Sequence, residues 1–561
     1  MMKKLILLLL LIPSIVFGVG LDGVKLSGVS SQIAPVFDAP LTHSLILDGG
    51  AVGPTFTRAT TKSGVDFELA THTGLINESI FTGARRVENL CTDSEVYATE
   101  TITVFSGIDY IFSFTGTGSV TFSGAATGTL AGTGANDRVQ VTKTTGSTSL
   151  TITVTGSVLK AQLEKVSGTQ TVASEYVSSG VLSDPWHGTG VDGVKYYNTD
   201  RAGALIPAAT LLGYRTDKES TNLVLQSENQ SSAVWLNTWG GGVTLTPDAI
   251  ISPDGTKTAD EIAQIDGTDN SSNQLIILSA STMYTQSCYF KNNSSTRSSF
   301  RIHDQNAAAT LAIIRFDWTG TTPSTKSSTG ASNIKYEELY DDWWRISFSY
   351  TTAATVTSHQ YVISPEALAV TTNSVYVWGA MINLGKFPTA YIKTTTAQVT
   401  RTPDELCYAN TNNQLLPNSF SLIMSTTPAA DGEDYETNAV RLFSTDDTAG
   451  TNDEMRIANG VSYGYTSTGG GGFFNILETD LGIDTQGKYG FQLYQDGSDS
   501  DAKIFLNGTK KHEETNTQTL AHSDTSICLG FFNTFYYTGN IKDVSIFKNK
   551  LSDSEMAWRT Q

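Results

Sequence analysis

The stretch Trp344-Arg345-Ile346-Ser347-Phe348-Ser349-Tyr350 alternates large apolar residues with polar ones. Side chains on a β-strand point to opposite faces in turn, so the apolar set shares one face and the polar set the other. Ile314, Phe316 and Trp318 form a second such run, and residues 284–290 form a third. Several period-two runs in one segment predict antiparallel sheets that bury one face each and pack as a β-sandwich.

A repeat surrounds this segment. Residues 89–95, Asn-Leu-Cys-Thr-Asp-Ser-Glu, return at 222–228 as Asn-Leu-Val-Leu-Gln-Ser-Glu. The two segments also end alike, with Ser-Glu-Tyr-Val at 174–177 and Thr-Ala-Tyr-Ile at 389–392. Matching starts and stops predict a duplicated module, and modules arranged in series usually bind or scaffold.

The rest of the chain divides around these two copies. Lys3 and Lys4 precede an apolar run from Leu5 to Ile12, and small residues offer a cleavage point after Gly18, which is typical of an export signal. An uncleaved hydrophobic arm is the alternative. The predicted regions are 1–18 (signal peptide or hydrophobic leader), 19–85 (N-terminal β-rich region), 86–180 (short sandwich), 181–214 (connector), 215–400 (second sandwich) and 405–561 (final all-β domain).

Several local patterns predict turns or short helices. Residues 188–193 match G-x-G-x-x-G, but Lys195-Tyr196-Tyr197 follows instead of an amphipathic helix, so the pattern indicates a loop rather than a dinucleotide site. Asn507-Gly508 predicts a hairpin turn. Ser552, with Glu555 three residues on, predicts a helix N-terminus. Within the second repeat, the segment from Thr258 to Ala263 is the only helix-like stretch.

Charge and cysteine content exclude some functions. The formal net charge is -19, so nucleic acid is not an expected partner, because phosphate binding needs a cationic surface. The four cysteines form no C-x-x-C pair and have no zinc-site spacing. Two disulfides are possible in an oxidising compartment, but buried free thiols are favoured.

Catalytic patterns are absent from the sequence. It contains no H-E-x-x-H and no G-x-S-x-G, and no compact E-x-D-x-x-E run of the kind that carries the acids of laminarinase-like jelly rolls. Binding is therefore favoured over catalysis. Sugars stack their flat C–H faces on aromatic rings, which makes four rings candidate ligand-binding residues: Trp235, Trp239, Trp343 and Tyr536. Alternation places Trp343 on the face opposite Trp344, away from the core. An acidic hairpin tip offers three candidate calcium ligands: Asp496, Asp499 and Asp501.

Two resemblances extend this interpretation. The second repeat resembles the carbohydrate-binding-like β-sandwich modules of bacteriophage virion proteins, and the matching runs are 221–228, 252–260, 342–347, 378–381, 387–392 and 399–401. The last domain resembles concanavalin A-like and laminin-G-like jelly rolls, on runs 503–508, 539–547 and 551–555. The first repeat lacks the Pro-Asp-Gly and Trp-Trp-Arg runs. The resemblances imply glycan or surface recognition, often on a phage particle, whereas the export-like leader departs from the phage pattern.

The sequence thus predicts an all-β protein of tandem antiparallel β-sandwiches, similar to carbohydrate-binding-module jelly rolls, followed by a concanavalin A-like jelly roll. We expect a non-catalytic glycan- or surface-binding adhesion protein, either a virion component contacting the host envelope or secreted. Expected partners are cell-surface polysaccharides and other virion proteins, with no nucleic acid; an oligomer is possible, and calcium is the one cofactor considered. The alternatives are a secreted bacterial adhesin with the same modules, a polysaccharide-degrading glycoside hydrolase, and an architectural protein without a ligand.

Overall fold

A computed structural model gives the architecture, which is built almost entirely from β-strands, as predicted. The expected leader at 1–18 lies outside the described residues. No helix in the described ranges is long and apolar enough to span a bilayer. The structure describes residues 33–48, 54–181, 186–239, 242–265, 270–355, 357–368, 372–410, 419–428, 440–445, 453–458, 461–468, 471–475, 487–516, 526–532 and 535–561.

The described residues before the second repeat form fifteen strands. The N-terminal region contains β1 (Phe37–Ala39), β2 (Thr55–Thr57), β3 (Lys62–Val65), β4 (Thr71–Gly74), β5 (Phe81–Thr82) and β6 (Arg85–Glu88). The first repeat contains β7 (Glu100–Thr103), β8 (Asp109–Gly116), β9 (Ser119–Gly124), β10 (Gly128–Ala131), β11 (Gly134–Thr144), β12 (Ser149–Thr155) and β13 (Leu159–Lys165). The connector contains a 3₁₀ turn (Trp186–Gly188), β14 (Val194–Tyr197) and β15 (Gly213–Thr216).

The second repeat and the last domain supply the other strands. The second repeat contains β16 (Ser220–Asn222), β17 (Trp235–Trp239), β18 (Val243–Ile250), β19 (Ala259–Gln264), β20 (Ser271–Leu278), β21 (Met283–Asn292), β22 (Arg297–Asp304), β23 (Ala309–Thr319), β24 (Thr322–Thr329), β25 (Ser332–Glu338), a 3₁₀ turn (Tyr340–Asp342), β26 (Trp344–Thr351), β27 (Thr357–Ser364), β28 (Ser374–Leu384) and β29 (Val399–Arg401). The last domain contains β30 (Glu405–Ala409), β31 (Ser419–Pro428), β32 (Val440–Thr445), β33 (Asp453–Ala458), β34 (Val461–Thr468), β35 (Gly471–Asn475), β36 (Gly487–Asp496), β37 (Asp499–Leu506), β38 (Thr509–Asn516), β39 (Ser526–Leu529), β40 (Phe531–Phe532), β41 (Phe535–Tyr536), β42 (Gly539–Phe547) and helix α1 (Asp553–Arg559).

Each repeat forms a two-layer sandwich. In the first, the sheets β10-β9-β12-β7 and β11-β8-β13 enclose a core that includes Phe112, Phe114 and Phe122. In the second, the six-stranded sheets β17-β20-β27-β22-β23-β24 and β18-β19-β28-β21-β26-β25 enclose a larger core. Ile346 and Phe348 lie in that core, as their alternation predicted.

The third sandwich is assembled from three separate parts of the chain. One sheet runs β38-β37-β36-β31-β42-β15-β5, with β1 also paired to β42, and the other runs β2-β30-β39-β32-β33-β34-β35. Strands of the N-terminal region and the connector therefore complete the sheets of the last domain. One apolar core contains side chains from all three parts, including Phe37, Tyr214 and Phe491. The predicted domain boundaries, which treated these parts separately, stay predictions.

Each repeat sandwich is joined to the rest through a two-stranded antiparallel ribbon. β6 pairs with β14 on either side of the first repeat, and β16 pairs with β29 on either side of the second. Both repeats thus leave and re-enter the body of the protein at adjacent strands.

A buried ion network lies beside the second ribbon. Lys62 Nζ contacts carboxylate oxygens of Asp404 and of Asp217, the latter at 2.9 Å. Arg58 Nη1 donates to the other oxygen of Asp404 at 3.1 Å. The side chains of these four residues are completely buried. The network ties the N-terminal region to both segments that flank the second repeat.

We call the similar runs 89–95 and 222–228 the sequence echo. The hydrogen bonds of its first residue, an asparagine in both copies, explain why it recurs. Asn222 Nδ2 donates to the carbonyl oxygens of Ala380 (3.0 Å) and Ile392 (2.8 Å), and its Oδ1 accepts from the N–H groups of Val224 (3.1 Å) and Ile382 (3.3 Å). Four bonds from one buried side chain join the start of the repeat to strand β28 and to its closing segment.

Asn89 makes the same four bonds in the first repeat. Its Nδ2 donates to the carbonyl oxygens of Ala161 (2.9 Å) and Val177 (2.8 Å), and its Oδ1 accepts from the N–H groups of Cys91 (3.1 Å) and Leu163 (3.2 Å). The echo therefore encodes closure of a sandwich, and the shared hydrogen bonds agree with the predicted duplication.

The Ser and Tyr residues of the echo also pair. Ser94 Oγ lies 2.6 Å from Tyr176 Oη in the first repeat, and Ser227 Oγ lies 2.7 Å from Tyr391 Oη in the second. The opening and closing runs of each copy are thus in direct contact.

The cysteines differ in part from expectation. Cys91 and Cys288 are buried free thiols, as predicted, but Cys407 and Cys528 form a disulfide between β30 and β39. Their separation of 121 residues gives no local signal, because only the pairing of the two strands brings them together. A disulfide is typical of proteins from oxidising compartments and suggests an extracellular protein.

Most of the local predictions are confirmed. Residues 188–193 precede strand β14 and not a helix, and Asn507-Gly508 joins β37 to β38. Ser552 caps α1 in a reciprocal capping box with Glu555. The prediction of helix-like structure from Thr258 to Ala263 is wrong, because this segment overlaps strand β19, which pairs with β18 and β28. Tertiary pairing overrides a weak local preference there.

Candidate functional site

A cleft of about 740 Å³ lies where the N-terminal region meets both repeat sandwiches. Its lining comes from β4, β6 and nearby residues, from the loop between β7 and β8, from the end of β13, and from residues 251–256 and 340–343 of the second sandwich. Pockets of this size accommodate small-molecule ligands. We call this feature the cleft.

Backbone contacts between separate segments fix the shape of the cleft. The N–H of Tyr340 donates to the carbonyl of Leu69 at 2.9 Å, and the N–H of Thr71 donates to the carbonyl of Pro253 at 3.1 Å. Lys165 Nζ reaches from the first sandwich to the carbonyl oxygen of Asp254 in the second. Both sandwiches therefore contact the cleft through residues that also line it.

The Pro253-Asp254-Gly255 run forms a tight turn on one wall. The N–H of Gly255 donates to the carbonyl of Ser252 at 2.9 Å, and Gly255 has φ +72°, a region that favours glycine. A Cβ at this position would lie 3.2 Å from Lys165 Nζ. This run, absent from the first repeat, thus contacts the first repeat across the cleft.

Exposed apolar side chains stand on both sides of the cleft. Phe105, from the first sandwich, is 51% exposed, and Tyr340, from the second, is 40% exposed. Ile251, from the same sandwich as Tyr340, adds an exposed aliphatic side chain to the lining. Lys165 Nζ lies 5.8 Å from the centroid of the Phe105 ring, within cation–π range.

The backbone is unusual next to Tyr340. Asp341 and Asp342 both have φ of 58°, in the left-handed region that non-glycine residues seldom adopt. Asp341 forms a salt bridge with Lys291 at 2.7 Å. Two consecutive residues in this conformation turn the chain before β26 and leave Tyr340 at the cleft rim.

A hydrogen-bonded network lies behind one wall. Arg86 donates twice to Glu78 at 2.8 Å, Tyr196 Oη donates to Glu78 at 3.0 Å, and His72 Nε2 lies 3.0 Å from Tyr196 Oη. Burial raises the pKa of Glu78, but the charge and hydrogen bonds of Arg86 outweigh burial and hold that pKa at about 2. Burial and the Arg86 charge lower the pKa of His72 to about 3, so the imidazole is neutral.

This network leaves hydrogen-bonding capacity at the lining. Because Tyr196 donates its proton to Glu78, His72 donates from Nε2 and keeps an acceptor lone pair on Nδ1. His72 Nδ1 and Thr71 Oγ1 are buried and have no partner within the described residues. Buried polar groups normally form hydrogen bonds, so these two atoms of the lining can pair with a polar group of a ligand.

One carboxyl group of the cleft has a strongly shifted pKa. Burial, reinforced by the nearby Glu68 charge, raises the pKa of Asp66 to about 7. Its Oδ1 accepts the N–H groups of Glu68 (2.8 Å) and Ala70 (3.1 Å). Arg201 holds Glu68 through two contacts.

Trp343 lines the cleft but is not an exposed platform. It is 1% exposed, packs with Trp378 and Leu339, and donates from Nε1 to the carbonyl of Ile251 at 3.3 Å. Trp344 packs against the sandwich core and Trp343 does not, as predicted, but the expected exposure of Trp343 is wrong. A second apolar layer covers that face of the sheet, and the 3₁₀ turn ends just before Trp343, so strand alternation does not apply to it.

The other predicted rings lie elsewhere. Trp235 is 3% exposed in the core of the second sandwich, donates to the carbonyl of Gln226 at 3.1 Å and makes an edge contact with Tyr361. It therefore serves packing. The side chain of Trp239 lies outside the described residues. Tyr536, in the third sandwich, stacks on Phe531 and donates to Glu405 at 2.9 Å.

The predicted calcium ligands do not converge. Asp496 and Asp499 face each other at the exposed end of the β36–β37 hairpin. Asp501 accepts a hydrogen bond from Thr515 at 2.8 Å and pairs with Lys550 at 3.1 Å. In the part of the chain that the structure describes, no group of three His, Cys, Asp or Glu residues is placed to hold a metal ion.

Sequence reasoning missed Phe105 and Tyr340, although a signal for both was present. Phe105 directly follows Val104, and Tyr340 directly follows Leu339. Val104 and Leu339 are both buried. A large apolar residue next to a core position is out of phase with the buried face, and period two then points it outward. The same rule favoured Trp343, so only the structure separates exposed from covered positions.

Comparisons with known proteins give distant similarities only. No protein-family model matches the sequence, and no curated protein sequence matches it. Among solved structures, the CBM40 module of the Ruminococcus gnavus IT-sialidase is 12% identical, covers 26% of this chain and 84% of its own, and has a TM-score of 0.21. Domains LG4-5 of the mouse laminin α1 chain are 11% identical over 52% of this chain and 90% of their own, with a TM-score of 0.18. A tripod from the baseplate of bacteriophage Tuc2009 is 12% identical over 55% of this chain and 99% of its own, with a TM-score of 0.17.

Proposed function

We propose that this protein binds a glycan in the cleft and does not cleave it. The observation that carries the proposal is the pair of exposed rings, Phe105 from the first sandwich and Tyr340 from the second, in the lining of one cleft that also contains polar groups. Rings take the apolar faces of sugars, while acceptor and donor groups in the same lining take the hydroxyls. The unpaired His72 Nδ1 and Thr71 Oγ1 are two such acceptors.

Hydrolysis is the competing function, and Asp66 is the residue that favours it. A carboxyl group with a pKa near 7 in a cleft has the property of a general acid. However, its Oδ1 already accepts two backbone N–H groups, which is the arrangement of an aspartate that stabilises a turn. That local role explains the buried carboxyl group without catalysis, so we favour binding alone.

The proposed setting is an exposed surface outside the cell. The disulfide supports an extracellular location. Either a virion component that contacts a host envelope or a secreted bacterial adhesin would use such a cleft. Detection of this chain in purified phage particles would favour the first, and its detection in cell-free culture medium without particles would favour the second.

A glycan array followed by titration calorimetry on the full chain tests the binding site. Phe105→Ala and Tyr340→Ala should each weaken the best array ligand by roughly tenfold or more, since losing a stacked ring costs at least about 1.4 kcal/mol. Trp558→Ala is the matched control, because Trp558 is 55% exposed on α1 in the third sandwich. Equal affinity in all three variants would refute the site.

A product assay separates binding from hydrolysis. The full chain incubated with the best array ligand should release no shorter sugars. Release that disappears in Asp66→Asn would instead establish the hydrolase alternative, because Asn keeps the two backbone hydrogen bonds and removes the acid.

A further inference from the structure

The arginines of the cleft are already neutralised. Arg86 forms salt bridges with Glu78 at 2.8 Å and Glu88 at 2.7 Å. Arg201 uses both Nε and Nη2 on Glu68. A bidentate guanidinium–carboxylate pair saturates the geometry that would otherwise recognise an anionic sugar.

Lys165 is also a poor site for an anion. Its Nζ donates to the carbonyl of Asp254 and lies against the Phe105 ring. Burial lowers the pKa of Lys165, which disfavours its charged form. Lys165 thus contacts a backbone carbonyl and an aromatic face, and the nearby charges of Asp254 and Glu88 partly offset the effect of burial on its pKa.

Two further carboxylates of the lining, those of Asp109 and Asp254, accept hydrogen bonds from neighbouring groups. Asp109 is exposed and accepts a hydrogen bond from Thr144. Asp254 Oδ1 accepts from Ser252 Oγ at 2.7 Å and from the N–H of Thr256 at 3.0 Å. Within the described ranges neither carboxylate forms a salt bridge. The lining also contains Asp66 and Glu164, and its other two acids are paired, Glu88 with Arg86 and Asp341 with Lys291.

We propose that the cleft takes neutral or amino sugars and excludes glycans that carry carboxylate or sulfate groups. This inference rests on the proposed function and specifies its ligand class. An anionic sugar bound in the cleft would meet the carboxylates of Asp109 and Asp254, which form no salt bridge in the described ranges. The arginines that could attract it, Arg86 and Arg201, are already engaged. Like charges in a partly enclosed site repel appreciably, whereas neutral hydroxyls hydrogen-bond to the same carboxylates.

The test sorts array ligands by charge. Wild type and Phe105→Ala are compared on one array of neutral, amino, uronic-acid and sialylated oligosaccharides. Ligands that depend on Phe105 should all be neutral or cationic, and acidic analogues of the best hit should bind about tenfold more weakly or worse, a difference of about 1.4 kcal/mol. Acidic glycans among the Phe105-dependent hits would overturn the inference and leave the proposed function standing. An array without any Phe105-dependent hit would refute the proposed function itself.

A charge variant provides the second arm. Asp109→Asn should strengthen binding of the acidic analogue relative to the neutral hit at least about threefold at low salt, and this gain should shrink at high salt, because salt screens the repulsion. Asp137→Asn is the matched control, since Asp137 is an exposed acid of the same sandwich outside the lining. The β11–β8 register places it about seven residues, or roughly 23 Å, along the sheet from Asp109. Equal acidic-glycan affinity in both variants would contradict the inference.

Discussion

Replacing Asn222 tests whether the sequence echo encodes closure of the sandwich. Asn222→Ala removes two donors and two acceptors at a side chain that is completely buried. It leaves the carbonyls of Ala380 and Ile392 and the N–H groups of Val224 and Ile382 without their partner. A buried orphaned group costs about 1–3 kcal/mol, so at the lower bound four groups cost about 4 kcal/mol.

The second sandwich offers a convenient probe for this loss. Six of the eight tryptophans lie between residues 215 and 400, so intrinsic fluorescence of the full chain reports mainly on this unit. A loss of about 4 kcal/mol should lower its thermal midpoint by roughly 8–16 °C, using about 2–4 °C per kcal/mol for a unit of this size. Urea titration should show the same loss of unfolding free energy with an unchanged slope.

A matched asparagine controls for the substitution itself. Asn306 is an exposed turn residue of the same sandwich, and among the described residues its Oδ1 accepts just one long bond, 3.4 Å, from the N–H of Ser358. Asn306→Ala should change the unfolding free energy by less than about 0.5 kcal/mol. If Asn222→Ala unfolds within about 1 kcal/mol of Asn306→Ala, the four bonds do not close the repeat and the explanation of the echo fails.

Three further predictions concern the buried charges and the cysteines. Asp404→Asn should destabilise the protein by about 3–5 kcal/mol because it leaves the buried Lys62 cation under-compensated; calorimetry showing a change below about 1 kcal/mol would contradict this. The pKa of Asp66, raised by burial to about 7 from 3.8, favours the protonated form in the folded state, so stability present at low pH should be lost as pH rises from about 4 to 7. The loss of unfolding free energy between pH 4 and pH 7, measured by urea titration, should be smaller by roughly 2–4 kcal/mol in Asp66→Asn than in wild type. An equal loss in both proteins would refute the raised pKa of Asp66. Alkylation of the denatured chain should add two adducts before reduction and four after, since Cys407–Cys528 protects two thiols; four adducts before reduction would exclude the disulfide.

The sequence was most informative where a single strand decides its own environment. Alternation placed Ile346 and Phe348 in a core because both neighbouring strands present the same period. Alternation wrongly predicted an exposed Trp343. The outer face of that sheet is covered by residues distant in sequence, such as Trp378. Local pattern indicates which face a side chain takes, but not whether that face meets solvent.

The local sequence pattern could not predict the third sandwich, for a related reason. β1, β5 and β15 contain three, two and four residues, too few to show a period, and each gains its identity by pairing with strands hundreds of residues away or across a ribbon. The disulfide depends on the same long-range pairing. The cleft is harder still to predict from local sequence. Its two exposed rings belong to different sandwiches, and they line one cavity only because both ribbons hold those sandwiches in place.

That dependence changes how fragment experiments should be interpreted. Phe105 belongs to the first sandwich, Tyr340 to the second, and Leu69, which accepts the Tyr340 N–H, to the N-terminal region. A fragment containing residues 86–180 or 215–400 alone carries only one wall of the cleft, and a silent glycan array with such a fragment would be expected even if the full chain binds sugar. By contrast, binding by an isolated sandwich that equals the full chain in affinity would place the site on one module's own surface. Full-chain titration beside the 215–400 fragment therefore distinguishes a composite cleft from a modular lectin, and the composite cleft requires affinity in the first and its loss in the second.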